Sequence, residues 1–415
     1  MSDRVPASAP VQISRRRFMQ GAASAAGALC LPACIGPDAH REPQWSRDAK
    51  AALATSHAWL WSAQSVDGRF PSRTYGLLAT GQSLTPFALD SLLQSEPKLF
   101  APEKDSVARG IGALLRMRDA TGALGLSGPS ADYPCYATGL MLSCLGASKP
   151  RDSHGLAAPS IAWLRGQQFL AAKGWTEHPA QGGWGMGART PRTPPNAGHV
   201  DLSMTRRVVE GLRAVGVPAH DPALLEARAF VLRCQTSDGS FLYSPVEQAL
   251  NKGLRDPGGE PRGYGSATAD GLLCLDALEL TEGDAFVRGL AWLFEHHRTA
   301  RNPGLEGGPM EPFAEAMRGY YRAGAARCFQ RWGGPAAWRP ALADAIVQEQ
   351  EADGHFRNPN GLQKEDDPII ATGFAVQALA ALRSRSNREP AAVVRGRAPA
   401  PLQASRGARR LPRSA

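Results

Sequence analysis

One short motif recurs along the sequence and constrains the fold more than any other feature. In its clearest form it reads Gln-x-x-Asp-Gly-x-Phe, and each copy closes a segment with the pattern of a helix. The six copies, three clear and three weaker, lie at residues 64–70, 117–122, 168–184, 235–241, 295–308 and 350–356. Six copies at a spacing of roughly 50–70 residues form an internal repeat, and a repeat sets the architecture of a whole chain.

The motif has a physical explanation in terms of chain reversal. Its Asp-Gly pair supplies the positive-φ position at which a helix ends and the chain turns, because glycine lacks a Cβ. The aromatic residue two positions after the glycine can then fold back on the preceding helix. The motif is therefore a structural signature, and by itself it indicates no activity.

Two kinds of helical segment alternate between the copies. Segments of the first kind have apolar residues three and four positions apart, as in an amphipathic helix with one solvent-facing side. They are predicted at 48–64, 103–117, 158–168, 221–234, 283–297 and 338–350. Segments of the second kind are almost continuously apolar and contain Ala and Gly, which indicates burial on most sides and close helix packing. They are predicted at 85–93, 138–145, 205–215, 268–278, 313–323 and 372–382.

This alternation predicts an all-α protein built as an (α/α)6 toroid of six helical hairpins. The six buried helices would form an inner ring around a central cavity, and the six amphipathic helices an outer ring. The Trp-Leu … Gln-x-x-Asp-Gly-x-Phe/Trp repeat resembles that of squalene–hopene cyclases and of the β-subunits of protein prenyltransferases. The resemblance covers about residues 45–382. It implies the toroid and an apolar or isoprenoid-type ligand in the cavity, but such rings carry several activities.

Polar residues are expected to converge on one rim of this ring. Each turn motif leads into the N-terminus of a buried helix, so equivalent positions meet when the repeats are aligned on Thr85, Thr138, Thr205, Thr268, Phe313 and Thr372. The side chains predicted to form a ligand-binding rim are Asp132, Tyr136, His199, Asp201, Arg262, Tyr264 and Glu311. Acidic and hydroxyl side chains at these places also suit the capping of helix N-termini, so both roles stay open.

The candidate catalytic residues are Asp366 and Asp367, which follow Glu365 and precede the last buried helix. Neighbouring acids repel one another, which favours keeping one of them protonated as a general acid. Their place is similar to that of the Asp-x-Asp-Asp-Thr-Ala segment of squalene–hopene-type cyclases, whose protonated Asp attacks an alkene. Here Pro368 and two Ile precede the Ala-Thr pair, and the cyclase segment itself is absent. The other interpretation makes Asp367 a helix N-cap followed by a first-turn proline.

Other features separate the chain from the enzymes that it resembles. Aromatic residues, which stabilise carbocations in cyclase cavities, make up only 7% of the sequence. The second helical domain of the triterpene cyclases has no room in 415 residues. The Asp-x-Cys and Cys-His pattern of a prenyltransferase zinc site is absent, and no metal or cofactor site is predicted. P-loop, H-E-x-x-H and G-x-S-x-G motifs are absent from the sequence as well.

The N-terminal segment lies outside the repeat pattern. The run from Ser14 to Met19 contains three consecutive arginines and precedes a short apolar stretch, which resembles a twin-arginine export signal of bacteria. That stretch is too short for a mature transmembrane helix. It ends in Leu-Pro-Ala-Cys at Cys34, which resembles a lipobox whose cysteine becomes acylated; the alternative is an ordinary signal cleaved elsewhere. We therefore expect a periplasmic protein or a membrane-anchored lipoprotein.

The charge of the chain is concentrated at its two ends. Residues 383–415 carry nine Arg and one Glu, and residues 1–34 carry four Arg and one Asp, so the body has a net charge of −2 although the whole chain has +9. A nearly neutral body does not indicate a nucleic-acid partner. The predicted divisions are a signal at 1–34, a linker at 35–47, the toroid at 48–384 and a disordered tail at 385–415, rich in Arg, Pro and Ala.

Three functions stay open at this point. The first is an exported enzyme of the cyclase or transferase kind, which binds an apolar or isoprenoid-type ligand and uses the rim acids. The second is a non-catalytic toroid that binds a ligand or an envelope protein. The third is a polysaccharide-active (α/α)6 enzyme with two rim carboxylates, for instance Asp201 and Asp367. A deep apolar cavity would favour the first function, a filled one the second, and an open groove between two carboxylates the third.

Overall fold

The computed structural model describes residues 42–95, 103–128 and 130–383, and the named elements in these ranges are helical. The only β-structure in these ranges consists of isolated β-bridges. The α-helices are α1 (Gln44–Ser62), α2 (Leu84–Leu93), α3 (Lys104–Met117), α4 (Pro134–Ser148), α5 (Ser153–Gln167), α6 (Leu202–Ala214), α7 (Pro222–Arg233), α8 (Gly265–Ala277), α9 (Asp284–His296), α10 (Pro312–Ala316), α11 (Arg318–Trp332), α12 (Trp338–Val347) and α13 (Pro368–Arg383).

These helices form two concentric layers. The inner layer contains α2, α4, α6, α8, α11 and α13, and each of them packs against the next, with α13 returning to α2. The outer helices α1, α3, α5, α7, α9 and α12 cover the inner layer, and α1 packs against both α12 and α13. The expectation of an all-α (α/α)6 toroid is therefore confirmed.

The glutamine of the repeated motif joins neighbouring hairpins. Gln64 Nε2 donates to Gly68 O in its own turn at 3.2 Å and to Ser106 O in the next outer helix, α3, at 3.0 Å. Gln350 Nε2 does the same with Gly354 O at 3.1 Å and Ala52 O in α1 at 2.9 Å, which joins the last hairpin to the first. The equivalent amides of Gln168 and Gln235 reach α7 and α9. In these four repeats, one side chain thus fixes the turn and the seam beside it.

The aromatic residue of the motif is held by a threonine of an inner helix. Phe241 N donates to Thr268 Oγ1 at 3.1 Å, and Phe241 itself is fully buried. The same bond joins Phe70 to Thr85, Leu124 to Thr138, Trp184 to Thr205 and Phe356 to Thr372. These bonds satisfy a buried N–H that has no helical partner. They explain why threonine opens five of the six inner helices.

The glycine of the motif is required by both conformation and space. Gly68 has a φ of +89°, and a Cβ there would overlap Arg109 O in α3. The turn can therefore lie directly on the next outer helix, which is the packing that the repeat needs.

The fifth hairpin differs from the prediction of one inner helix at 313–323. The chain forms the short helix α10, breaks at Met317 and starts again as α11. The new N-terminus is fixed from outside, because the Glu365 carboxylate accepts bonds from Gly319 N at 2.9 Å and Tyr320 N at 2.8 Å. Phe313 is therefore the wrong anchor for this repeat. The other five inner helices begin one to four residues before their threonine, and α1 begins at Gln44 rather than at residue 48.

None of the described helices is long and apolar enough to cross a bilayer. The predicted signal at 1–34, with Cys34, and the predicted tail at 385–415 lie outside the described residues.

Candidate functional site

The centre of the toroid holds a cavity of about 230 Å³ at the N-terminal ends of the inner helices. All six inner hairpin helices contribute to its wall, for example through Phe87 of α2, Tyr136 of α4 and Phe374 of α13. Loop residues such as Leu78 and Met317 complete the wall. The volume lies just below the range of roughly 300–1,000 Å³ that is usual for small-molecule sites. The cavity therefore suits a small ligand or one end of a longer one.

The cavity wall is much more aromatic than the sequence as a whole. Seven aromatic side chains line it, namely Phe87, Tyr133, Tyr136, Tyr243, Tyr264, Tyr320 and Phe374. Five of these are tyrosines, out of seven tyrosines in the chain. The low aromatic content of the sequence was thus a poor guide to the cavity, because the few tyrosines are gathered in one place. Tyr133, Tyr243 and Tyr264 come from loops and helix ends, outside the predicted inner helices.

Hydrogen bonds tie the polar groups of the inner cavity wall together. Ser203 Oγ lies 2.8 Å from the Tyr320 hydroxyl, which donates to Asp270 Oδ2 at 2.6 Å. Asp270 Oδ1 in turn accepts a bond from Arg206 Nη1 at 2.5 Å. Burial raises the pKa of Asp270, although the Arg206 guanidinium opposes the shift.

A buried cluster of charges lies further along the same inner helices. Glu210 of α6 forms ion pairs with three arginines, namely Arg206 and Arg207 of the same helix and Arg327 of α11. The distance from Arg327 Nη2 to Glu210 Oε1 is 3.0 Å. Burial alone would raise the pKa of Glu210, but the three guanidiniums hold it well below its usual range. Asp90 of α2 adds a second buried carboxyl close to Arg207. The cluster is joined to the cavity wall through Asp270, which lines the cavity and accepts the bond from Arg206.

Glu365 lines the cavity as Asp270 does, and it is only 2% exposed. Its carboxylate accepts bonds from Gly319 N, Tyr320 N and, at 3.1 Å, from Asn358 Nδ2. Burial raises its pKa to about 7 in spite of these three donors. A carboxyl with its pKa raised toward neutral pH meets the condition for a general acid.

The two predicted catalytic acids lie next to Glu365 but point elsewhere. Asp367 Oδ1 accepts bonds from Ile369 N at 2.9 Å and Ile370 N at 3.3 Å, so this carboxylate caps α13. Its other oxygen accepts a bond from Ser72 Oγ at 2.5 Å. Asp366 Oδ1 accepts a bond from the Tyr75 hydroxyl. Neither acid is among the cavity-lining residues, and their catalytic assignment stays a prediction.

The other predicted rim residues divide into those that line the cavity and those behind its wall. Tyr136 and Tyr264 line it. Asp132 is buried behind Ser83. Its carboxylate accepts hydrogen bonds from Ser83 N at 2.9 Å and from Ser83 Oγ at 2.5 Å, so it caps the neighbouring helix α2. Asp201 caps its own helix, α6, through Met204 N at 2.7 Å.

His199 connects the cavity wall with one of these buried caps. Its Nε2 lies 2.8 Å from Asp201 Oδ2 and 3.1 Å from the hydroxyl of Tyr243, which lines the cavity. Asp201 and His199 therefore position a wall residue and are not themselves at the surface of the cavity.

Arg262 and Glu311 lie away from the cavity. Arg262 is exposed. Glu311 accepts a bond from Gly307 N at 3.1 Å and lies 3.3 Å from Arg301. The physical reason for the misplacement of Glu311 is the register of the fifth hairpin. Met317 and Tyr320 supply the wall from that repeat.

The sequence contained signals for some of the residues that were missed. Asp270 stands in a helix predicted to be buried, and a charged residue at such a place is rare unless it is paired or functional. Arg206 and Arg207 stand in another buried helix and carry the same signal. Lys252 lies in a loop between repeats, and no pattern in the sequence pointed to it.

Metal ligands do not cluster in the described residues: no three His, Cys, Asp or Glu side chains there come close enough to hold an ion.

The fold can be compared with those of solved structures. No protein-family model and no curated protein matches the sequence. A type II terpene cyclase from Scytonema without ligand matches over 81% of this chain and 98% of its own, with a TM-score of 0.53 and 16% identity. The same cyclase with its product merosterolic acid A covers 81% and 97%, at 0.51 and 15%. An unsaturated glucuronyl hydrolase specific for heparin covers 81% and 96%, at 0.50 and 12%.

These comparisons agree on the architecture. At such identities the likeness shows the fold alone, an α/α toroid that terpene cyclases and sugar-cleaving enzymes share. The function has to be argued from the cavity.

Proposed function

We propose that this chain is an enzyme that binds an apolar, isoprenoid-type molecule in the central cavity of its toroid and protonates it. The observation that carries the proposal is the Glu365 carboxyl, which has a pKa of about 7 in the wall of an aromatic cavity. A terpene cyclase with the same fold supports the choice of ligand class.

The proposed cyclisation needs a proton donor and groups that stabilise a carbocation. The neutral Glu365 carboxyl gives its proton to one carbon of a double bond, whose π electrons form the new C–H bond. The positive charge that develops on the other carbon is attracted to the faces of the wall aromatics, such as Tyr136 and Phe374. Attack by a second double bond closes a ring, and loss of a proton ends the reaction, so that the product is an isomer of the substrate.

Glu365 is suited to this step by its protein contacts. When it ionises, the N–H groups of Gly319 and Tyr320 at the start of α11 remain aimed at its two oxygens. They stabilise the carboxylate left behind, as donors at a helix N-terminus do. Burial favours the neutral form and the donors favour the charged one, so the proton can leave and return near neutral pH.

The test follows deuterium from solvent into product. The full-length protein is incubated in D2O with geranylgeraniol, farnesol or squalene, and the products are analysed by mass spectrometry. We expect a ring-closed product carrying deuterium, and loss of turnover of at least about 100-fold in Glu365→Gln. Ligand binding, followed by tryptophan fluorescence, should persist in that variant. Full activity of Glu365→Gln would contradict the assignment.

Asp366 and Asp367 remain candidates for the acid, and the same assay decides between the three residues. Asp367→Asn keeps the side-chain oxygen that caps α13, so it should keep the fold. If Glu365 is the acid, Asp366→Asn and Asp367→Asn retain turnover. Loss of turnover in either of them, with Glu365→Gln active, would move the role to that aspartate.

A sugar-cleaving activity is the second candidate, because two carboxyls, Asp270 and Glu365, line one cavity. Glycosidases use such pairs, and a glucuronyl hydrolase shares the fold. Asp270 is held by Arg206 and Tyr320, which makes it a poor partner for this chemistry. Release of nitrophenol from 4-nitrophenyl glycosides, lost in both Asp270→Asn and Glu365→Gln, would favour this activity. Binding of isoprenoids without any turnover would leave a ligand-binding toroid.

We also propose that the protein is exported by the twin-arginine route and attached to the membrane through Cys34. The sequence of residues 14–34 supports this proposal.

A further inference from the structure

A lysine lies in the wall of the cavity without an acidic partner. Lys252 belongs to the loop that connects the fourth turn motif with α8, and it lines the cavity. Its Nζ lies 5.4 Å from the ring centre of Tyr243 and 5.3 Å from that of Phe313. Within the described part of the chain its ammonium group makes no hydrogen bond or ion pair, and burial lowers its pKa.

Lys364 brings a second amine to the same cavity. It lies directly before Glu365 and has a φ of +62°, a left-handed conformation that is uncommon for a residue with a long side chain. Its Nζ lies 5.8 Å from the ring centre of Tyr75, and no acidic partner of this amine occurs in the described residues.

The carboxyls of the cavity wall do not neutralise these amines. Glu365 is occupied by three N–H donors, and burial raises its pKa. Asp270 pairs with Arg206. Asp201, the acid that acts on Lys252 electrostatically, is occupied by the N-terminus of α6 and by His199. Asp366, the acid that reaches the Tyr75 ring below Lys364, accepts a bond from the Tyr75 hydroxyl. In the described residues both amines therefore lie beside an apolar, aromatic wall, and no carboxylate is bonded to either of them.

A partly buried ammonium that lies against two aromatic faces has lost part of its hydration, and an anion would stabilise it through a charge-assisted contact. From the position of Lys252 and Lys364 we infer that the ligand is amphipathic, with an apolar chain inside the cavity and an anionic head group, a carboxylate or a phosphate, on these two amines. The inference rests on the proposed function, since it names the class of ligand for the same cavity.

The experiment compares three probes that share one apolar chain and differ only in the head group: farnesol, farnesoic acid and farnesyl phosphate. Their dissociation constants are measured by calorimetry with the full-length protein. We expect at least one of the two anions to bind about tenfold or more tightly than the alcohol, because a charge-assisted contact is formed. The tighter of the two anions identifies the head group as a carboxylate or a phosphate.

Substitutions of the two lysines show whether they cause the preference for an anionic head group. Lys252→Gln should weaken the preferred anion about tenfold and leave farnesol unchanged, whereas Lys252→Arg should keep the preference. Lys364→Gln should have the same kind of effect. Lys50→Gln, an exposed lysine of α1, is the matched control and should change nothing. Thermal melts of each variant show whether the fold is retained.

Two results would overturn the inference, and they are distinguishable. Equal affinity of all three probes, unchanged in Lys252→Gln and Lys364→Gln, removes the head-group site but leaves an apolar cavity and the proposed function. Binding of none of the three removes both.

Discussion

Glu365 is a residue at which burial and hydrogen bonding act in opposite directions. Burial favours its neutral form, whereas the N–H groups of Gly319 and Tyr320 and the amide of Asn358 favour the carboxylate. A solvent-exposed N-cap meets only the second effect and ionises readily. The same side chain therefore caps α11 and can hold a proton at neutral pH. A cap and a general acid are not exclusive roles at this position.

The raised pKa of Glu365 predicts how stability changes with pH. Its pKa is about 7 in the folded protein against 4.5 for an unperturbed glutamate, so the folded state binds the proton more tightly. Its contribution is therefore fully present below about pH 4.5 and is lost as the pH rises to about 7, in total on the order of 3 kcal/mol. In urea unfolding between pH 5 and 8, Glu365→Gln should gain stability relative to wild type as the pH rises.

The control for this experiment is Glu295→Gln, which changes an exposed acid of the outer helix α9. Its stability should run parallel to that of the wild type at all pH values. If Glu365→Gln also runs parallel, the carboxyl is ionised throughout and Glu365 is only a cap.

At the scale of helices, glycine allows the inner helices to approach closely. Gly139 of α4 faces the backbone of Arg207 in α6, and Gly211 of α6 faces Gly139 O, so a Cβ at either glycine would overlap backbone atoms. Backbone atoms cannot move aside as a flexible side chain can. The Ala- and Gly-rich pattern of these segments correctly predicted such close contacts.

Two glycine-to-alanine substitutions should therefore have opposite effects. Gly211→Ala should destabilise the protein by about 1–3 kcal/mol, because the added methyl group forces α4 and α6 apart. Gly166→Ala in α5 should stabilise it by about 0.5–1 kcal/mol, because nothing lies near the new Cβ and alanine favours the helix. Thermal and urea unfolding of both variants measure this, and two changes of the same sign would contradict the packing described for α4 and α6.

The sequence predicted the helices well wherever the motif was complete. Thr85, Thr138, Thr205, Thr268 and Thr372 anchor their helices because each binds the turn that precedes it, a local relation that a sequence displays directly. The fifth hairpin has no such threonine, and its helix start is fixed by Glu365, about 45 residues further along the chain. Long-range capping of this kind has no local pattern, which is why Glu311 was misplaced.

The contents of the cavity were predictable only in part. Tyr136 and Tyr264 followed from their places before and within inner helices. Lys252 and Tyr243 reach the cavity from loops, and their direction depends on tertiary packing. The choice between Glu365 and its neighbours Asp366 and Asp367 depends on side-chain orientation, which three consecutive acids in a sequence do not reveal.

At the scale of the molecule, closure of the ring gives every hairpin a neighbour on both sides. In an open array of repeats, the terminal repeats lack one neighbour and fray first. Here Gln350 bonds to Ala52 O, Thr55 Oγ1 and Ser56 Oγ of α1, so the last hairpin has a neighbour on both sides.

Loss of the seam glutamine should therefore cost the same at the closure as elsewhere. We expect Gln350→Ala and Gln235→Ala each to lower the free energy of unfolding by about 1–2 kcal/mol, since each removes the hydrogen bonds from one amide to its own turn and to the next outer helix. Chemical unfolding of the two variants measures the difference. A much smaller effect of Gln350→Ala would mean that the ring opens between α12 and α1 in solution.

The proposed lipid attachment is a prediction about the whole chain in its cell. If Cys34 is acylated, wild-type protein should fractionate with membranes, and Cys34→Ala should release it or leave it unprocessed. Cys328→Ala, which changes a buried thiol of α11, is the control and should fractionate like the wild type. Equal solubility of wild type and Cys34→Ala would count against the anchor.

We expect the buried charges between α2, α6, α8 and α11 to leave the cavity with a single opening. A substrate that enters past the tyrosines then leaves, as product, through the same opening, so the product has to dissociate before the next substrate binds. With one opening, a long polymer could not pass through the toroid and be cleaved at successive positions. A ring-closed product is wider than its linear substrate and has to pass the same opening. We therefore expect product release to be the rate-limiting step of turnover.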